Sequence, residues 1–152
     1  MRNEKLILLV AAALCGAGLA ACGGSSSTTL SRTELVSKAN AICTTAQTSA
    51  KAVPQPASIQ DAGQAAGYFD KIGPVAEIET SDLQALKPDS SAAPDWNAFI
   101  SAQQAANTLL QTIRKKADAK DPSGLQDLGK IQGAGQQVAS TATKLGATVC
   151  AQ

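Results

Sequence analysis

Apolar residues recur along this chain at steps of three and four, in four separate stretches. Residues that start or stop helices bracket each stretch. The first stripe holds Leu35, Ala39, Ile42, Ala46 and Val53, and Pro54-Gln55-Pro56 ends it. It opens at Ser31-Arg32-Thr33-Glu34, the spacing of a capping box, with Ser31 capping the first turn and Glu34 reaching back. Leu30 and Leu35 fall at the staple positions either side of this start.

The second stripe opens in the same way at Ser58-Ile59-Gln60-Asp61. It carries Ile59, Ala62, Ala66, Phe69, Ile72, Ala76, Leu83 and Leu86 up to Pro88. Gly73-Pro74 lies inside it. A proline there removes one backbone donor and crowds the preceding turn, yet the apolar phase resumes beyond it. This predicts a kink in preference to a break. The third stripe starts near Pro94, which suits a first helical turn, and runs through Trp96, Phe99, Gln103, Ala106, Leu110, Ile113 and Ala117. The fourth starts at Asp121-Pro122, a capping residue and a first-turn proline. It continues through Leu125, Leu128, Gln132, Gly135, Val138, Ala142 and Leu145, and Gly146 is its stop signal. No stretch alternates with period two, so no strand is predicted.

Four amphipathic helices with short connections predict an all-α fold, an antiparallel up-down-up-down four-helix bundle over residues 31–152. Ala and Gly on the stripes are expected to let the helices approach closely. They also bury less area, at a loss of roughly 25 cal/mol per Å². In such a bundle the end of the fourth helix lies near the start of the first. Cys43 sits about 18 Å along that first helix. Cys150 reaches it only if the tail after Gly146 turns back.

Ahead of the bundle, Arg2 and Lys5 precede an uncharged apolar run over residues 6–21, shorter than the roughly 20 residues of a membrane-spanning helix. Residues 1–21 therefore read as a secretory signal. Leu19-Ala20-Ala21-Cys22 resembles a lipobox, the site where bacterial lipoprotein signal peptides are cut and lipidated. That resemblance implies a diacylglyceryl group on the Cys22 sulfur, cleavage between Ala21 and Cys22, and Cys22 as the first mature residue. Alkyl chains contribute roughly 0.8 kcal/mol per buried CH₂, and two or more give stable anchoring. Residues 22–30 follow as a Gly/Ser-rich flexible tether with a reach of very roughly 15 Å. A soluble secreted protein, or an uncleaved N-terminal helix, is the other reading of this segment.

Composition narrows the picture further. With the signal removed, basic and acidic side chains balance, which argues against nucleic acid as a partner and against a general pull towards anionic membranes. Aromatics are few: Tyr68, Phe69, Trp96 and Phe99. The core must be built from Ala, Leu, Ile and Val, and it is thin. Of the four cysteines, Cys15 leaves with the signal and Cys22 takes the lipid. In an oxidising compartment the remaining Cys43 and Cys150 are most simply a disulfide. Closing so long a loop stabilises by on the order of 4–5 kcal/mol in the chain-entropy account. Free thiols or a thiolate metal site are the alternatives, though the chain has no C-x-x-C and no histidine to complete a zinc tetrad.

The absence of histidine also removes Ser-His-Asp and Cys-His catalysis and histidine-ligated metals. Met1 is the only methionine, which excludes a methionine-rich copper site. Carboxylates gather at Glu77, Glu79 and Asp82. Glu79 and Asp82, three apart, fall on one helix face; a paired-carboxylate site is conceivable, and a solvated face is the simpler reading. Arg114-Lys115-Lys116, with Lys120, forms a basic run at the end of the third helix. Such a run suits the helix dipole and is a candidate contact for anionic headgroups or wall polymers. Trp96 and Phe99 are either a binding pair or the core's largest fillers. Gln103 and Gln132 either bond across the bundle or lie at its edge. No catalytic residue, metal or cofactor is expected.

The segment Leu35 to Cys43, the Leu-Lys-Pro at Leu86 to Pro88 and the terminal Leu145 to Cys150 resemble small Ala-rich secreted or lipid-anchored proteins of actinobacteria. Asn40-Ala41-Ile42-Cys43 with a final cysteine is the most specific part. The resemblance supports the bundle and the disulfide, and implies no activity. The expectation is then a lipid-anchored protein on the extracytoplasmic face of the cell membrane. It would be a non-enzymatic module binding an envelope protein, a wall component or an apolar ligand. A solute-capturing accessory subunit of a transporter is the second reading, and an enzyme using helix-borne carboxylates the third.

The anchor has a direct test. Cys22→Ser should shift the protein out of the membrane fraction or leave the precursor uncut. A variant that matures and partitions into detergent just as wild type does would show that Cys22 carries no lipid.

Overall fold

The computed structural model describes residues 29–59 and 61–152. The signal segment 1–21, Cys22 and the tether up to residue 28 lie outside the described residues. Four helices follow in order: α1 Arg32–Lys51, α2 Ala62–Gln84, α3 Ala93–Asp118 and α4 Ser123–Leu145, with a closing 3-10 turn at Thr148–Ala151. Asp70 and Glu77 of α2 meet Arg114 and Gln111 of α3 in reverse order, and Lys116 of α3 meets Asp127 of α4. The helices are thus antiparallel neighbours in an up-down-up-down bundle, the all-α fold expected.

The helix starts show where local chemistry was read correctly and where it was not. Ser31 and Glu34 make the full capping box: Ser31 Oγ accepts from the Glu34 backbone, and the Glu34 carboxylate accepts from the Ser31 backbone at 3.0 Å. The Ser31 hydroxyl, which donates to the Glu34 carboxylate at 2.7 Å, and then the Ser31 backbone N–H hold Glu34 below its ordinary pKa. For α2 the cap is Asp61, not Ser58. Asp61 Oδ1 accepts from the Gln64 backbone at 2.9 Å, and a carboxylate at a helix N-terminus also meets the favourable end of the dipole. The helix then runs unbroken through Pro74. Asp121 likewise stands one residue outside the cap of α4. Its carboxylate accepts from the Ser123 backbone at 2.9 Å, and Pro122 occupies the cap itself. Gly146 stops α4 with φ 95°, a left-handed conformation that costs glycine nothing.

Two apolar clusters fill the interior. The larger lies towards the end where α1 and α3 begin, and joins Leu35, Ala39, Cys43, Leu83, Trp96, Phe99, Val138, Ala142, Leu145 and Cys150. The smaller lies towards the other end, around Ala65, Phe69, Ile113 and Ala117. Leu30, half-buried against the larger cluster, pairs its backbone with the loop between α2 and α3. Its N–H donates to the Lys87 carbonyl at 2.7 Å, and its carbonyl accepts from Asp89 at 2.9 Å.

α3 packs along both α2 and α4, while α1 packs on α2 and is bridged to α4 chiefly by the C-terminal turn. After Gly146 the chain does turn back. Gln47 Nε2 donates to the Val149 carbonyl at 2.8 Å, and the Val149 N–H donates to Asn40 Oδ1 at 3.1 Å. Cys43 and Cys150 form the disulfide, with Cα atoms 5.3 Å apart across 107 residues of sequence.

Cys43→Ser, Cys150→Ser and the double variant should lose similar stability, on the order of a few kcal/mol, because each removes the same cross-link. Denaturant unfolding under non-reducing conditions measures this. Single variants as stable as wild type, or a double variant far weaker than either single, would contradict the loop-closure account.

Candidate functional site

Where the two apolar clusters fail to meet, the bundle holds a cavity of about 450 Å³. Its origin lies in side-chain size. Ala46 and Ala50 of α1, Ala76 of α2, Ala106 of α3, and Gly135 and Ala139 of α4 all line it. None is long enough to reach across the bundle. The small stripe residues were expected to draw helices together, and here they leave space instead. A Cβ placed on Gly135 would meet nothing within 4 Å, so this glycine permits no close approach. Ile72, Val75 and Val138 add apolar wall, and the Cys43–Cys150 bond with Ala151 and Gln152 completes it. The C-terminal turn is therefore both a staple and part of the site.

One acidic side chain enters this lining. Glu79 also lines a second, smaller groove of about 260 Å³ on the α1–α2 seam, with Ile42, Val75, Ile78 and Asp82. Ile78 is 62% exposed at this groove. Ala46, Val75 and Glu79 are common to cavity and groove, so Glu79 stands at their boundary. Among the described residues its carboxylate makes no hydrogen bond and no ion pair, and burial alone pushes its pKa from 4.5 up to about 7. Both linings together contain no Lys or Arg.

The three carboxylates grouped in the sequence thus separate. Glu77 accepts a short hydrogen bond from Gln111 of α3, away from the cavity. Glu79 turns into the gap, and Asp82 lines the groove beside it. Glu79 and Asp82 do share a face. Trp96 and Phe99 are 2% and 0% exposed, with ring centroids 5.6 Å apart. They are core, and they line neither space. Gln103 lines the cavity, whereas Gln132 is exposed.

Half of the basic run is occupied. Arg114 Nε donates to Asp70 at 2.7 Å, and Lys116 Nζ donates to Asp127 at 2.6 Å. Lys130 meets the other oxygen of Asp127, also at 2.6 Å. Hydrogen bonds first from Lys116 and then from Lys130 hold the Asp127 carboxyl below its usual range, although it is only 4% exposed. Lys115 and Lys120 remain exposed at the end of α3. Arg32 pairs with Asp95, joining the starts of α1 and α3.

Among the described residues no helix is long and apolar enough to cross a membrane. Comparison with protein-family models, with curated proteins and with solved structures gave no match to this chain. The chemistry of the cavity is therefore the main guide to function.

Glu79 makes a prediction about stability. Its folded pKa lies above its unfolded value, so its contribution is full below about pH 4.5 and is lost as pH rises through about 7. Wild-type stability should fall over that window more than the stability of Glu79→Gln does. At pH 8 the variant should be the more stable by on the order of 2 kcal/mol, the full shift being reduced because the carboxyl is partly wet. Parallel pH–stability curves for the two proteins would show that Glu79 is not strained by burial.

Proposed function

We propose that this protein is a lipid-anchored extracytoplasmic binding protein, held to the cell membrane through Cys22, that captures a small apolar molecule in the bundle cavity without chemically altering it. The cavity carries this reading. Its volume of about 450 Å³ falls within the roughly 300–1,000 Å³ of ordinary ligand pockets, and its lining is mostly apolar with a few polar groups. A core this short of large side chains gains stability from every apolar contact, and an unfilled space forgoes them. The lipobox resemblance and the Gly/Ser-rich tether support a position on the extracytoplasmic face of the cell membrane.

The reading is tested by filling the space. Gly135→Leu starts a side chain from a Cβ that meets nothing within 4 Å, and replacing a mid-helix glycine favours the helix by roughly 0.5–1 kcal/mol. The variant should fold at least as well as wild type. Titrating the full chain in phosphatidylcholine nanodiscs with 1-adamantanol, with empty discs subtracted, should show one site in wild type. Affinity should be at least tenfold weaker in Gly135→Leu. Equal binding by the two proteins, or none by wild type, would overturn the cavity as the binding site.

A further inference from the structure

We propose that the cavity's ligand is an apolar molecule bearing one protonated amine, its hydrocarbon body in the cavity and its ammonium on the carboxylate of Glu79. The inference rests on the reading of the cavity as a ligand site and adds the ligand's chemical class.

Position is the first ground. Glu79 stands where the bundle cavity and the α1–α2 groove adjoin, since it lines both. An amphiphile with its tail inside would present its head at that boundary. Charge is the second. Glu79 has no partner among the described residues, and an unpaired carboxylate in apolar surroundings is costly. The groups that line the two spaces around it supply no positive charge. From α1 come Thr45, Ala46, Gln47, Ser49 and Ala50. From α3 come Gln103 and Ala106, and from α4 Gly135, Val138 and Ala139. The C-terminal turn adds Cys150, Ala151 and Gln152. On α2 itself the neighbouring ionisable group is Asp82. Every ionisable group in the two linings is thus acidic, and a cation is what the site lacks.

A carboxylic acid would bring a second negative charge to this place, and an alcohol could donate a hydrogen bond to Glu79 but would bring no counter-charge. An ammonium gives Glu79 a charge-assisted hydrogen bond and leaves Asp82 close by as a second attraction. Because Glu79 binds its proton up to about pH 7, the proton competes with the amine. A primary alkylamine, protonated as lysine is to about pH 10, stays cationic throughout that range.

Three probes with one hydrocarbon cage separate the possibilities: 1-adamantylamine, 1-adamantanol and 1-adamantanecarboxylic acid. Each is titrated calorimetrically into the full chain in phosphatidylcholine nanodiscs, with empty discs subtracted. The amine should bind at least tenfold more tightly than the alcohol at pH 8, and its affinity should fall about tenfold from pH 8 to pH 6. Glu79→Gln should remove both the preference and the pH dependence while still binding the alcohol. If that variant does not fold, as judged by circular dichroism, the wild-type pH series decides alone. Alcohol binding equal to amine binding, tightest binding by the acid, or a pH-independent amine affinity would overturn the amine and leave the apolar cavity standing. Failure of all three probes to bind wild type would overturn the cavity reading and the amine together.

Discussion

The C-terminal turn wedged between α1 and α4 is the constraint on which the rest of the bundle depends. α1 packs along α2, and its link to α4 passes through Thr148–Ala151. Asn40 and Gln47 bind the backbone of Val149 from either side of Cys43, and the disulfide makes the attachment covalent. The bond spans almost the whole fold in sequence, so most of its effect falls on the unfolded chain, whose freedom it restricts. The reversal begins at Gly146, whose left-handed conformation ends α4 and lets the 3-10 turn bring Cys150 back to α1.

That staple compensates for a core made of small residues. Phe99, Leu35, Leu83, Ile113 and Leu145 are among the few large side chains fully enclosed. They gather towards the two ends and leave alanine and glycine in the middle. The void there and the unpaired Glu79 break two rules of a well-packed interior at one place. Such coincident violations are where function is expected to reside, since each costs stability that packing elsewhere must supply.

Much of the fold was legible because helix periodicity and capping are local. Ser31 with Glu34, Pro94 and Gly146 act within one or two turns, and so could be read directly. Ser58 and Asp121 were misassigned because several good capping residues stood close together. The choice among them depends on where the chain leaves the preceding loop. The disulfide followed from counting cysteines, and its geometry required the returning tail. The site was far less legible. Glu77, Glu79 and Asp82 look alike on an isolated helix. Only the neighbours decide that Glu77 meets Gln111 while Glu79 faces a gap. The gap itself is a property of four helices at once. Ala and Gly on a stripe signal close packing or emptiness with the same letters.

The pairing of Leu30 with Lys87 and Asp89 has a consequence for how the molecule stands. It fixes the point where the N-terminal segment joins the bundle, at the end where α1 begins. The α1 residues that line the cavity, from Cys43 to Ala50, lie about 18–27 Å from that end at the helical rise. Were the chain anchored through Cys22 as proposed, a bundle standing on that end would carry its cavity above the headgroups, outside the hydrocarbon. An amphiphile bound by it would then have left the lipid completely. Loading would then be paced by desorption, and chain length would govern the rate through each molecule's own reluctance to enter water.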